Sequence, residues 1–215
     1  MLFTKEHMLL YAVTDRSWLG EKRLIDQVEE VLKAGATLLQ LREKDLSYEE
    51  FVSEAIQIKA ITDYYHIPLI INDRIDVAIA ADADGVHLGQ EDDNLQKARE
   101  ILGSNKIIGI SAHTVREALD AKKHGADYIG VGAVFGTTTK KDAGIVTYET
   151  LKDICKAVTI PVVAIGGITG DNIMKLAGSG VAGVAVISAL FASKDPGKAT
   201  KKMYKMAADM LAINY

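Results

Sequence analysis

Eight short β-rich runs, separated by stretches with helical periodicity, leave this chain few ways to fold. The runs are Leu9–Thr14, Leu38–Arg42, Leu69–Asn72, Gly85–Leu88, Ile107–Ser111, Tyr128–Val131, Val162–Ile165 and Gly183–Ile187. Between them apolar residues recur at helical spacing, as in Leu151, Ile154, Cys155 and Val158. Strands joined through helices pair in parallel, because a parallel neighbour needs a crossover connection. A weak internal repeat narrows the choice further. The lead-ins to the even strands read AGATLLQL, ADADGVHL, HGADYIGV and SGVAGVAV, and three of the four place glycine where a left-handed helix cap is needed (Ala81-Asp82 departs). Odd strands open differently, as in HIPLIIND and TIPVVAIGG. Odd–even alternation suits a closed barrel, whose interior layers come from alternate strands, and has no role in an open doubly wound sheet. The expected fold is α/β, a single-domain (β/α)8 TIM barrel over residues 1–215.

Length and composition agree with one barrel. The 215 residues are too few for two ordinary domains and a linker, and 48% hydrophobic with 25% charged residues can build one large core. A net charge of −4 opposes nucleic-acid binding, which calls for excess Lys and Arg. The single cysteine, Cys155, excludes an internal disulfide or a cysteine zinc site, fits a reducing cytoplasm, and is expected in the core. Met1–His7 carries Lys5 and Glu6 with no apolar h-region of a signal peptide after them, and no run approaches the roughly 18 residues of a membrane span. The expectation is a cytoplasmic protein acting on small molecules, without nucleic-acid or membrane partners; nothing opposes a homo-oligomer. Capping boxes are expected at Ser47…Glu50 and Thr114…Glu117.

Barrel chemistry sits at the C-terminal strand ends. Those ends read Gln40-Leu41-Arg42-Glu43-Lys44, Asn72-Asp73-Arg74, His87 through Asp92, Ser111-Ala112-His113, Gly132 to Lys140, Gly166-Gly167 and Ile187-Ser188. Gly166-Gly167 with Ile187-Ser188, ahead of a short helix at Ser188–Ala192, occupies the usual barrel phosphate position; the glycines also suit a plain tight turn. Asp73 and Asp92 follow adjacent strands and suit one Mg²⁺, unless Asp73 pairs with Arg74 and Asp92 lies on a solvated helix start. Arg42, Lys44 and Lys140 together suit a diphosphate, whereas singly each lysine reads as surface charge. His113 fits a proton donor or a structural histidine equally. Trp18 is either rim packing or lid. Residues Ala133–Thr147, polar and glycine-containing, read as a mobile lid bringing Lys140 to the site.

The segments QLREK, INDR, DGVHLGQED, ISAHT, GADYIGVG, TTTKK, VAIGGI and AVISA, in this order, resemble the thiamine-phosphate synthase family over nearly the whole chain. The resemblance implies a transferase that joins a hydroxymethylpyrimidine diphosphate to a thiazole phosphate, or to its carboxylated tautomer, with Mg²⁺. It implies that Gln40, Leu41, Arg42, Glu43, Lys44, Asn72, Ser111 and Lys140 bind the pyrimidine diphosphate, with Lys140, Ser111 and Arg42 catalytic. Asp73 and Asp92 would hold Mg²⁺, and Thr137, Thr138, Thr139, Gly166, Ile187 and Ser188 the thiazole phosphate. The implied reaction is dissociative and needs no protein nucleophile. The chain departs from the family at Ala133 and Gly136, where prolines are usual, and in the short stretch 142–147. Two rivals are a thiazole tautomerase of the same superfamily, which His113 keeps open, and a non-catalytic sensor of thiamine precursors.

Overall fold

Each strand is a short apolar run with side chains packed on both sides, the pattern of a parallel sheet covered by helices. The strands are β1 (Leu10–Val13), β2 (Leu38–Leu41), β3 (Leu69–Asn72), β4 (Gly85–Leu88), β5 (Ile107–Ala112), β6 (Tyr128–Val131), β7 (Val162–Ile165) and β8 (Gly183–Val186). The computed structural model describes residues 3–90, 95–136 and 144–212. All neighbouring strands are parallel, and β1 pairs with β8 through Leu10 and Val184, closing the barrel. That closure removes the open-sheet alternative.

Alternation along the strands separates two cores. Tyr11, Val13, Leu38, Ile70, Tyr128, Val163 and Ala185 fill the barrel interior. Leu10, Ala12, Leu39, Leu41, Ile71 and Val86 face outward into the packing against the helices. The outer ring comprises α1 (Leu24–Lys33), α2 (Tyr48–Tyr64), α3 (Ile75–Ala80), α4 (Leu95–Leu102), α5 (Val115–Lys123), α6 (Tyr148–Ala157), α7 (Ser188–Phe191) and α8 (Pro196–Ala212). Only a 3₁₀ turn, Ile173–Leu176, stands between β7 and β8. Helix α1 shows the governing pattern: Leu24, Val28, Val31 and Leu32 share one face and are buried. Burying one such side chain stabilises by about 1.5–3 kcal/mol, and exposed rim ion pairs add little, so these layers hold the fold.

The expected caps form, with one variation. Ser47 and Glu50 close a reciprocal box at α2. At α5, Thr114 accepts from the Glu117 amide, but the Glu117 carboxylate turns to the His113 amide, one residue earlier than the box requires. In the even-strand lead-ins Gly35, Gly125 and Gly180 have positive φ, and Asp82, standing where the repeat lacks glycine, adopts φ 49° itself. A short polar side chain tolerates that left-handed conformation better than most. Among the described residues no helix is long and apolar enough to cross a membrane.

Candidate active site

The strand ends converge on a cavity of about 130 Å³ at the C-terminal mouth of the barrel. Its wall includes Gln40, Arg42, Asn72, His87, Ser111 and His113 from the first half, with Gly132, Ala133, Gly166 and Ile187 opposite. The volume is close to that of a protein cavity known to take one six-membered ring, about 150 Å³. A larger cleft of about 920 Å³ opens at the other end of the barrel, around Val158, Pro161 and Leu211. Lys5, Glu6, Thr37 and Thr159 stand on its wall, but it lies at the N-terminal strand ends, and barrel chemistry sits at the C-terminal ends, so the smaller cavity is the better candidate.

Not every residue of the QLREK segment faces the cavity. The Leu41 side chain belongs to the outer core, and Lys44 is exposed on the loop beyond. Glu43 turns away as well: its side chain is 3% exposed and its carboxylate takes Arg16 Nε at 2.7 Å. Arg16 also reaches Glu54, at 2.5 Å. Glu43 Oε1 and Glu54 Oε2 are buried without a hydrogen-bond partner, so one proton held between the two carboxyls would satisfy both. Burial, and then the neighbouring Glu54, pushes the Glu43 carboxyl up to about 7 against the pull of Arg16. Arg42 is tied by its backbone, whose amide donates to buried Thr14 Oγ1 at 2.9 Å, and its side chain lines the cavity.

At the end of β3, Asn72 Nδ2 donates to Asp73 Oδ2 at 2.6 Å. Asp73 has φ 60°, its amide donates to the His87 carbonyl, and its residue surface is exposed. Arg74 pairs with Asp76 rather than Asp73. A positioned, accessible carboxylate is the kind of hard oxygen donor Mg²⁺ selects. Asp92, Thr137, Thr138, Thr139 and Lys140 lie outside the described residues, among which no group of three or more His, Cys, Asp or Glu side chains forms a metal cluster.

Beneath the cavity runs a polar chain that the strand-end reading passed over. Gln40 Nε2 donates to Tyr11 Oη at 2.7 Å, and Tyr11 Oη lies 2.8 Å from Tyr128 Oη. Tyr128 Oη lies 2.9 Å from His87 Nδ1, and His87 Nε2 lies 3.0 Å from Ser111 Oγ. Both phenols are fully buried, and that burial raises them well above the ordinary tyrosine range, so both stay protonated. Leaving one such buried group unpaired would cost about 1–3 kcal/mol. Gly109 makes room for this arrangement, since a Cβ there would strike the Tyr128 ring. The available signal was the inward alternation of Tyr11 and Tyr128 along β1 and β6.

Gly166 and Gly167 both have positive φ, and a Cβ on Gly166 would lie 2.5 Å from the Ala133 Cβ. The Val134 amide donates to Ile165 O and the Phe135 amide to Gly166 O, stitching the loop after β6 to the loop after β7. Ala133, Val134 and Val146 are buried, and Val146 N donates to Ala133 O at 2.8 Å. The expected lid is therefore anchored at both ends; 137–143 lies outside the described residues. Ser188 is exposed at the start of the one-turn helix α7. His113 lines the cavity beside Glu117, its Nδ1 3.3 Å from that carboxylate. Trp18 is 42% exposed on a 3₁₀ turn after β1. Cys155 is half-buried at the edge of the core rather than within it, and burial pushes its thiol up to about 12.

A family model described as thiamine monophosphate synthase matches residues 10–190. The chain belongs to that family. Thiamine-phosphate synthase of Clostridium acetobutylicum is 54% identical over 185 residues, covering 86% of this chain and 88% of that protein. Thiamine-phosphate synthase 2 of Streptococcus pneumoniae serotype 4 is 46% identical over 208 residues, covering 97% and 99%. The solved thiamine phosphate pyrophosphorylase from Pyrococcus furiosus superposes with a TM-score of 0.89 at 41% identity, covering 96% of this chain and 98% of that one. Family membership thus extends over the barrel as a whole, and both halves of the cavity wall fall inside the matched span.

Proposed function

We propose that the chain is a thiamine-phosphate synthase. On this reading it condenses 4-amino-2-methyl-5-hydroxymethylpyrimidine diphosphate with 4-methyl-5-(2-hydroxyethyl)thiazole phosphate, releasing diphosphate; with the carboxylated thiazole tautomer, CO₂ also leaves. One observation carries the reading. Residues expected for two different substrates, Gln40, Arg42, Asn72 and Ser111 for one and Gly166 and Ile187 for the other, line a single cavity. A bond between two substrates needs them side by side.

The pyrimidine ring occupies the cavity against Gln40 and Ser111, with its diphosphate toward Arg42, Lys44 and Lys140. The C–O bond to diphosphate breaks, the leaving group takes the electron pair, and cations at the rim stabilise its growing charge. The aminopyrimidine spreads the resulting positive charge, and the thiazole nitrogen supplies the electrons of the new C–N bond. Gly166, Ile187, Ser188, Thr137, Thr138 and Thr139 hold the thiazole phosphate through backbone and hydroxyl donors. Buried Tyr11 and Tyr128 close the cavity from below, so water can reach the cation only from the mouth. Asp73, steadied by Asn72, and Asp92 would hold Mg²⁺, which supplies further charge neutralisation at the diphosphate.

Turnover of the two substrates with and without Mg²⁺ tests the assignment. The synthase requires both organic substrates and the metal. Conversion of the carboxylated thiazole alone would point to a tautomerase, and binding without turnover to a sensor.

A further inference from the structure

The chain of hydrogen bonds beneath the cavity has a direction. Gln40 gives a hydrogen to Tyr11, so the single Tyr11 hydrogen goes to its other partner, Tyr128. Among the described residues Tyr128 then has one remaining partner for its own hydrogen, His87 Nδ1. An imidazole that accepts at Nδ1 is neutral and carries its hydrogen on Nε2. That nitrogen faces Ser111 Oγ. The serine oxygen accepts, and its own hydrogen is left for a ligand in the cavity that Ser111 lines.

We propose that Tyr11 and Tyr128 are positioning residues that, through His87, fix Ser111 as a hydrogen-bond donor toward an acceptor atom of the pyrimidine substrate. The geometry gives the two tyrosines a use beyond packing. They lie in the barrel interior, below the strand ends, yet they set the polarity of a hydroxyl at its mouth. A phenylalanine pair would fill nearly the same volume and leave the imidazole free to carry its hydrogen on either nitrogen. The sites are built for these rings: Tyr11 and Tyr128 meet edge to face at 5.8 Å, and the Tyr128 ring uses the space left by Gly109. The donor role toward substrate rests on the synthase reading; the hydrogen order within the protein does not.

The test is ¹⁵N NMR of the ligand-free protein labelled at histidine, at about pH 8, above the ordinary histidine range. The His87 signals are assigned by their loss in His87→Gln. Wild type is expected to carry one hydrogen, on Nε2, and Tyr128→Phe to redistribute it toward Nδ1. Should Tyr128→Phe fail to fold, Tyr128→Leu removes the same hydroxyl without the ring and is read the same way. A hydrogen on Nδ1 in wild type, a doubly protonated ring, or an unchanged ring in the folded variant would overturn the proposal. In turnover, Tyr128→Phe should lower kcat/KM for the pyrimidine diphosphate about tenfold, the size of one oriented hydrogen bond, with KM for thiazole phosphate unchanged. An equal loss for both substrates would count against it. If wild type shows the expected ring but turns over neither substrate, the synthase reading falls and the hydrogen order stands.

Discussion

Arg74 closes a two-pronged ion pair on Asp76, at 2.9 and 2.6 Å, and not on its neighbour Asp73. Sequence left open whether Asp73 was a metal ligand or half of a local salt bridge. The guanidinium settles on the helix start, where Asp76 also gains from the α3 dipole, and Asp73 faces Asn72. Asp73→Asn and Asp92→Asn should each cut turnover about ten- to a hundredfold and raise the Mg²⁺ concentration needed for half-maximal rate, since each removes a charged ligand. Mg²⁺ titrations of the two variants check this; wild-type rates at low Mg²⁺ would remove both residues from the metal.

Gly166 offers a milder probe of the thiazole phosphate than a bulky residue there. With φ 99° and a Cβ placed 2.5 Å from the Ala133 Cβ, alanine already strains the loop, and valine would strain it further whatever it binds. Gly166→Ala should raise KM for thiazole phosphate more than KM for the pyrimidine diphosphate, because the backbone donors tilt. Steady-state kinetics in both substrates, with thermal unfolding beside them, separate a local effect from general loss. Equal changes in both constants would make the loop structural only.

Much of this was legible in the chain. Short apolar runs separated by helical periodicity announce buried parallel strands, and the left-handed caps before even strands appear as Gly35, Gly125 and Gly180. The strand ends named the cavity wall because side chains alternate along a strand whose C-terminal end faces the site. What stayed hidden depends on direction in space. Glu43 stands between Arg42 and Lys44 in sequence, yet its carboxylate swings outward to Arg16, which nothing in QLREK reveals. Tyr11 and Tyr128 are 117 positions apart and meet only when the barrel closes. The lid reading weighed the polar residues of 133–147 and missed that Ala133, Val134 and Val146 bury themselves.

Glu43 should make stability depend on pH. Its carboxyl is raised in the folded protein from 4.5 to about 7. A raised carboxyl stabilises the fold fully below its unfolded value, and that contribution is lost as pH rises through the folded one. Glu43→Gln keeps an acceptor for Arg16 and a donor for Glu54 without the charge. Its unfolding free energy relative to wild type should therefore increase between about pH 5 and 8. Denaturant melts across that window measure it, and a flat difference would show that the pair holds no shared proton.

Lys140 is expected to act on the leaving group. Lys140→Ala should lower kcat by roughly 10²–10³, as for other donors aimed at developing charge, with a smaller change in pyrimidine affinity. Lys141→Ala should do little. Single-turnover rates distinguish loss of chemistry from loss of binding; a Lys140→Ala enzyme with unaltered kcat would remove the lysine from the reaction.

The most direct measurement counts products. Purified protein given the pyrimidine diphosphate and the thiazole phosphate with Mg²⁺ should release one diphosphate for each thiamine phosphate formed, and neither product when either substrate is omitted. Diphosphate released from the pyrimidine alone at the full rate, or thiazole converted without the pyrimidine, would contradict a condensation in which both substrates meet in one cavity.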